Sequence, residues 1–379
     1  MKRNHSIFAI LVVTLVLSSI IILVPVQAQP SGKRLLAHTD SEVKNAVSKG
    51  CKIVQETKGL KALECNPIIA DTLGLQEDIQ LFAADTTANI QIGANTIQTS
   101  GNTGDGRKIV ILDTGYNYNH PELSSSYLGG KDFVNNDSDP FDDNGHGSHV
   151  AGIITADGID PKAEGVARNA KIIPGKVLNS SGSGYFSDTV AAIYWAIDGP
   201  DGIPNNEDDF HADAISLSLG SSSPYTYKGT CDNVMPDMTN AIKYALSKGT
   251  IVVVAAGNSG GAGVSIPGCI SYSLTVGAVD RLDKAASFSG RGNAVDVTAP
   301  GVGIYSTTLG TSYASWSGTS MATPVTSGTI ALIKSVHSEY TPAQVYDALI
   351  KTAKDLGKSG LDTSYGWGRI NASSAVNYP

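Results

Sequence analysis

Charge is scarce in this chain: Asp, Glu, Lys and Arg make up 16% of its 379 residues, with a formal net charge of -8. Together with 41% hydrophobic residues, this composition excludes charge-swollen disorder and describes a globular protein with a sizeable core. No segment gathers Lys and Arg into a basic stripe, so nucleic acid and anionic lipid lack the electrostatic footprint they require. Long apolar runs are also rare. The single one, residues 7–24, follows Lys2 and Arg3 and precedes Pro25 and the small-residue end Val26-Gln27-Ala28. That is the pattern of a signal peptide over residues 1–28, cut after Ala28, which predicts a secreted protein. Left uncut, a run of about 18 residues just spans a bilayer and would act as an anchor. No second such run follows, so no stable membrane association is expected once the leader is removed. Cysteine occurs at only four positions, and none has metal-ligand spacing. An even count in an exported chain predicts two disulfides, Cys51 with Cys65 and Cys231 with Cys269; the alternative is four buried thiols.

What remains divides into a small and a large unit. In residues 29–88, a strand at 34–39 leads to a helix at 41–49 that Asp40 can cap and Gly50 ends. A hairpin at 51–57 and 60–65 turns at Lys58-Gly59, Asn66 caps a second helix, and residues 79–83 close as a strand. The order β-α-β-β-α-β is the ferredoxin-like arrangement, an α+β unit too small to be stable alone without a bridge or a partner surface. Over residues 89–379, apolar runs at 108–112, 171–177, 214–219, 251–256 and 274–278 are too continuous for half-exposed strands. Helical stretches at 189–197, 236–248 and 321–337 separate them. The fold class is therefore α/β, a doubly wound, mostly parallel sheet with helices on both faces, and ligands are expected beyond the carboxyl ends of its strands.

Four polar residues fall at such ends or at helix starts. Asp113 closes the strand Lys-Ile-Val-Ile-Leu-Asp-Thr-Gly, and His146 lies in Asn-Gly-His-Gly-Ser-His-Val-Ala-Gly, where Gly145 and Gly147 permit close backbone approach. His149, one turn on, competes for the same role but fits a buried structural histidine. Ser320, in Ser-Gly-Thr-Ser-Met-Ala-Thr-Pro, precedes a long apolar helix, with Pro324 expected in its first turn. A free N–H and the positive end of a helix dipole would suit a developing oxyanion there. Asn258, in Ala-Ala-Gly-Asn-Ser-Gly, can supply a second donor. Each residue taken singly is explained as a turn or cap.

Taken together, these segments resemble the signatures of the subtilisin family, in its chain order of Asp, His and Ser. The resemblance runs from about Gly93 to Ala375. It includes Asn119-His120-Pro121-Glu122-Leu123 and Tyr365-Gly366-Trp367-Gly368-Arg369-Ile370-Asn371-Ala372. It implies a serine endopeptidase in which Ser320 attacks the peptide carbonyl, His146 carries the proton, Asp113 orients the imidazole, and Asn258 with the Ser320 N–H stabilises the oxyanion.

By the same resemblance, Gly182, Ser183 and Gly184 form one wall of the substrate cleft and Ser218, Leu219 and Gly220 the other, so that protein or peptide substrate adds between them as a strand. Ser265 falls at the floor of the main pocket, which holds no Asp or Glu and so favours apolar or aromatic side chains. The loop bearing Asp198, Asp201, Asn205, Glu207, Asp208 and Asp209 resembles a calcium loop inserted in some archaeal members. A second acidic loop, 135–143, is a further calcium candidate. The family's strongest calcium site maps near 157–163 and is weakened here, with only Asp157, Asp160 and Glu122 able to contribute. Residues 29–88 resemble the family's propeptide, an intramolecular inhibitor and folding chaperone, removed by self-cleavage between 85 and 93. Two other readings stay open: a transpeptidase using the same triad, for which no shielding insertion near His146 is visible, and a secreted binding protein on a decayed protease fold.

Overall fold

The computed structural model describes residues 33–57, 59–77 and 88–379. The expected leader and the expected strand at 79–83 lie outside the described residues. Two compact units are present, Met1–Ala83 and Ala84–Pro379.

The first unit contains β1 (Lys33–Ala37), α1 (Asp40–Ser48), β2 (Lys52–Thr57), β3 (Leu60–Cys65), α2 (Pro67–Ala70) and β4 (Gln76–Glu77). Its sheet has the order β2-β3-β1-β4 with every neighbouring pair antiparallel, which is the ferredoxin-like topology. Leu35, Val43, Ala46 and Leu63 make a small core around the buried Cys51–Cys65 disulfide. With so little apolar area, a bridge closing a loop of this length contributes a substantial share of the stability, about 3 kcal/mol. Asp40 does not cap α1 as the sequence suggested. Thr39 does, because Glu42 returns its carboxylate to the Thr39 N–H while Thr39 Oγ1 accepts from the Glu42 N–H, a reciprocal pair that Asp40 has no partner to form.

The second unit opens with α3 (Ala88–Ile92) and α4 (Ala94–Thr99), then β5 (Lys108–Asp113), β6 (Lys131–Asp132), α5 (His146–Thr155), β7 (Lys171–Lys176), α6 (Phe186–Asp198) and β8 (Ala214–Leu217). It continues with β9 (Thr226–Tyr227), α7 (Pro236–Ser247), β10 (Ile251–Ala255), β11 (Val264–Ser265), β12 (Leu274–Val279) and β13 (Val297–Pro300). A hairpin of β14 (Ile304–Thr307) and β15 (Tyr313–Trp316) precedes α8 (Thr319–Val336), α9 (Pro342–Lys351) and α10 (Ala372–Val376). The seven-stranded sheet has the order β13-β12-β10-β8-β5-β7-β6, all parallel.

Alternation along each strand divides the core. Ile109 and Ile111 of β5 pack with residues of α5 and α8 on one face, while Val110 and Leu112 pack with α6 and α7 on the other. Both faces are covered, which is why the strands read as unbroken apolar runs. The carboxyl ends of β5, β8 and β10 point to one edge, and the starts of α5 and α8 are delivered to it.

Pro324 is not in the first turn of α8 but sixth in a helix that begins at Thr319. A proline there leaves the Ser320 carbonyl without its helical donor. Ser218 Oγ, just beyond β8, donates to that carbonyl at 2.8 Å. The helix thus runs through the proline because the neighbouring strand end satisfies the lost bond. The Cys231–Cys269 bridge pins the segment between β9 and α7 to the turn after β11. Among the described residues no helix is long and apolar enough to cross a membrane.

Candidate active site

Asp113 ends β5 with no exposed surface. Its Oδ1 accepts from the Thr114 N–H at 2.7 Å and from His146 Nδ1 at 2.7 Å. His146 is the first residue of α5, preceded by Gly145 at φ 104°. The approach is possible only because Gly147 is a glycine: a Cβ there would lie 2.1 Å from the Gly115 carbonyl oxygen. Burial lowers the affinity of His146 for its proton, but the attraction and hydrogen bond of Asp113, with the charge of Asp142, outweigh it and raise its pKa above the usual value.

Asp142 was not singled out by the sequence, yet it builds this corner. Fully buried, it accepts from Thr114 Oγ1, the Asn144 and Gly145 N–H groups, and both the N–H and Oγ of Ser148. It therefore fastens the start of α5 to the end of β5. Asp143 pairs with buried Lys176 at 2.6 Å, and Lys176 also donates to the Thr114 and Leu178 carbonyls. These contacts remove Asp142 and Asp143 from the calcium candidate at 135–143, since the oxygens of Asp142 are occupied by protein donors and Asp143 is held by an ammonium group. The neighbouring acids are exposed and engaged through one oxygen each: Asp137 accepts from the Asp139 N–H, and Asp139 from Tyr118 OH.

Ser320 is the second residue of α8, and its N–H has no backbone partner among the described residues. Its Oγ donates to the Ser218 carbonyl at 3.1 Å. Asn258 Oδ1 accepts from the Thr319 N–H at 3.0 Å and from Thr319 Oγ1 at 3.1 Å. Those two bonds fix the amide with its oxygen toward the helix, leaving Nδ2 as the donor on the other side. His146, Asn258 and Ser320 line one cavity of about 700 Å³, with Asp113 behind the imidazole.

The same cavity brings together Gly182, Ser183 and Gly184 on one side and Ser218, Leu219 and Gly220 on the other. Gly184, Leu219 and Gly220 enter no backbone hydrogen bond among the described residues, so both walls offer free peptide groups. Ser265 is buried between Gly220 and Gly257, and a Cβ on Gly257 would lie 2.0 Å from its Oγ. No Asp or Glu lines this cavity. His149 stands apart from it. Its Nε2 donates to the Ala314 carbonyl at 3.0 Å, its ring stacks on Trp316 at 4.4 Å, and burial lowers its pKa to about 4.

Among the described residues no group of three or more His, Cys, Asp and Glu side chains is arranged to hold a metal ion. In the 198–209 loop, Asp198 accepts from Tyr244 OH, Asp201 from the Ile203 N–H and Asn206 Nδ2, Asp208 from the Asp201 N–H, and Asp209 Oδ2 from the Asn205 N–H. Asn205 Oδ1 accepts from Lys248, Glu207 is exposed, and Asp209 Oδ1 is buried without a hydrogen-bond partner. The donors are hard oxygens suited to calcium, and Asp209 Oδ1 is the one buried carboxylate oxygen of the loop without a hydrogen-bond partner. The 157–163 loop does not fit calcium. Glu122 is fully buried and accepts from the Gly158, Ile159 and Asp160 N–H groups and from Tyr313 OH. A loop that turns its N–H groups to a carboxylate receives an anion, and Glu122 is that anion.

The subtilase family model matches residues 104–368. The chain is 38% identical over 331 residues to a "Thermophilic serine proteinase" of Bacillus sp. (strain AK1), covering 84% of this chain and 75% of that protein. It is 40% identical over 276 residues to Thermitase of Thermoactinomyces vulgaris, covering 73% of this chain and 90% of that protein. Against Subtilisin Savinase of Lederbergia lenta it is 38% identical over 286 residues, covering 76% and 96%.

The two neighbouring imidazoles should separate in an NMR titration. His146 should titrate above about 6.5 and fall below it in Asp113→Asn, whereas His149 should stay neutral down to about pH 4. A wild-type His146 value below the ordinary 6.5 would mean that the Asp113 carboxylate does not hold its proton.

Proposed function

The chain belongs to the subtilase family, and from that premise we propose that this serine endopeptidase cuts peptide bonds with Ser320 as nucleophile, His146 as proton carrier and Asp113 as the group that orients the imidazole. The observation that carries the assignment is the 2.7 Å bond from His146 Nδ1 to Asp113, with His146 and Ser320 opening on one cavity. An Nδ1–H donated to Asp113 leaves Nε2 as the basic nitrogen. In the resting site Ser320 Oγ donates to the Ser218 carbonyl; with substrate bound it turns its proton to Nε2 and attacks the carbonyl carbon. The negative oxygen that develops is met by the Ser320 N–H and Asn258 Nδ2. His146 then returns the proton to the departing amine, and water repeats the sequence on the acyl-enzyme.

Substrate is proposed to lie extended between the 182–184 and 218–220 walls, whose free peptide groups would pair with it as neighbouring strands do. A floor formed by Ser265 with Gly220 and Gly257 is small and uncharged, which favours apolar or aromatic side chains before the cut bond with modest selectivity. The 29–88 segment is proposed to be an inhibitory propeptide, supported by its ferredoxin-like sheet, in a protein exported by its leader and matured by its own cut between 85 and 93. The 198–209 loop is proposed to hold structural calcium, supported by its oxygen donors and by the leftover Asp209 Oδ1.

Ser320→Ala should abolish peptide hydrolysis and accumulate as the uncut precursor, and Asn258→Ala should lose about two to three orders of magnitude in kcat with KM little changed. Hydrolysis by purified Ser320→Ala would sink the assignment. Amino-terminal sequencing that finds the same start near Gln29 in wild type and Ser320→Ala would reject self-processing. The thermal midpoint should be higher in millimolar calcium than in chelator, because an ion bound only by the native state stabilises it by mass action, and Asp209→Asn should shrink the difference. Equal midpoints in calcium and chelator would reject the calcium loop.

A further inference from the structure

Against the 257–265 segment, which carries Asn258 and Ser265, lies a second cavity, of about 450 Å³, lined by Lys228, Gly261, Arg291, Asn293, Thr363 and Ser364 among others. Its lining holds two cations and no carboxylate. Arg291 is half-buried, and its Nε is buried without a hydrogen-bond partner. Two other arginines have a buried Nε in that condition, Arg107 and Arg369, and each has an aspartate in ion-pair range, Asp213 at 3.6 Å and Asp283 at 2.7 Å. Arg291 has no such aspartate among the described residues. Thr363 and Asn293 are exposed and Ser364 is half-buried, so their hydroxyls and amide stand at the open rim of this lining. A partly desolvated guanidinium beside an ammonium group, with three neutral donors and no counter-charge, is the inverse of an anion.

We propose that this cavity binds a small oxyanion of the carboxylate or phosphate class, held by Arg291 through its planar fork and by Lys228 as a point charge. The proposal does not depend on the catalytic assignment. The fold ties the site to the substrate wall, because Lys228 Nζ donates to the Gly261 carbonyl and the Arg291 N–H to the Gly260 carbonyl at 3.2 Å. Tyr227, next to Lys228, pairs with Val264, and the Gly290 N–H donates to the Gly257 carbonyl at 2.8 Å. Both cations are therefore anchored to the 257–265 segment, and an anion between them would stiffen it.

The test uses full-length Ser320→Ala, which cannot digest itself, titrated calorimetrically with inorganic phosphate and separately with succinate at ionic strength fixed with sodium chloride. Saturable binding of either anion is expected, and which one binds tells whether the site takes phosphate or carboxylate. Adding Arg291→Gln should weaken it about tenfold to a hundredfold, as expected for losing a charge-assisted hydrogen bond, and Lys228→Gln should weaken it as well. Backbone amide shifts should concentrate at residues 260–263 and 291–293. Absence of binding to both anions, equal affinity in Arg291→Gln, or shifts centred elsewhere would each overturn the proposal. Should Arg291→Gln fail to fold, Lys228→Gln and the amide map decide it alone.

Discussion

A carboxylate with no exposed surface stands at the end of the central strand, and the active-site corner is arranged around the need to keep its charge compensated. An uncompensated buried charge costs several kcal/mol, and because Asp113 Oδ2 is buried without a partner, the two donors to Oδ1 must not drift. The Thr114 N–H is fixed by the strand itself, while His146 arrives from another element and needs holding. Asp142 does that work by fastening the start of α5 to Thr114, and Lys176, opposite Asp113 in the β5–β7 register, closes the same corner through the Thr114 carbonyl and Asp143. The imidazole is thus placed by further carboxylates and not by Asp113 alone, and its raised pKa expresses the summed field of Asp113 and Asp142.

On the other side of the cleft, the constraint comes from a proline. Pro324, in the second turn of α8, leaves the Ser320 carbonyl without its helical donor, and Ser218 Oγ fills that place while the Ser218 carbonyl accepts from Ser320 Oγ. One exchange of hydrogen bonds therefore sets the helix, the nucleophile candidate and the cleft wall against each other. Asn258 is locked by the same helix through Thr319, so the amide that faces the cavity has one orientation.

The positions of Asp113, His146, Asn258 and Ser320 were legible because each sits in a short contiguous signature at a strand end or helix start. The seven-stranded sheet was legible where its strands are long and doubly buried. The two-residue β6 and the proline-ended β13 carry too little periodicity to be seen. Asp142 could not be told from Asp137, Asp139 or Asp143, since what distinguishes it is burial against Thr114 and Ser148, partners nearly thirty residues back and six ahead. Glu122 counted among the few groups able to contribute to a weakened calcium site because sequence does not reveal which way the 158–160 N–H groups point. Thr39 displaced Asp40 as a cap through the side chain of Glu42, and Arg291 gave no signal because an unpaired arginine looks like a paired one.

The central claim is that Ser320 is a nucleophile activated by the His146–Asp113 pair. The most direct measurement is labelling of the folded protein with a fluorophosphonate, in which the serine oxygen bonds to phosphorus and fluoride leaves, followed by peptide mapping. A single adduct on Ser320, lost in His146→Ala and on denaturation, is the result predicted. No adduct, or one on another serine such as Ser317 or Ser218, would contradict the account.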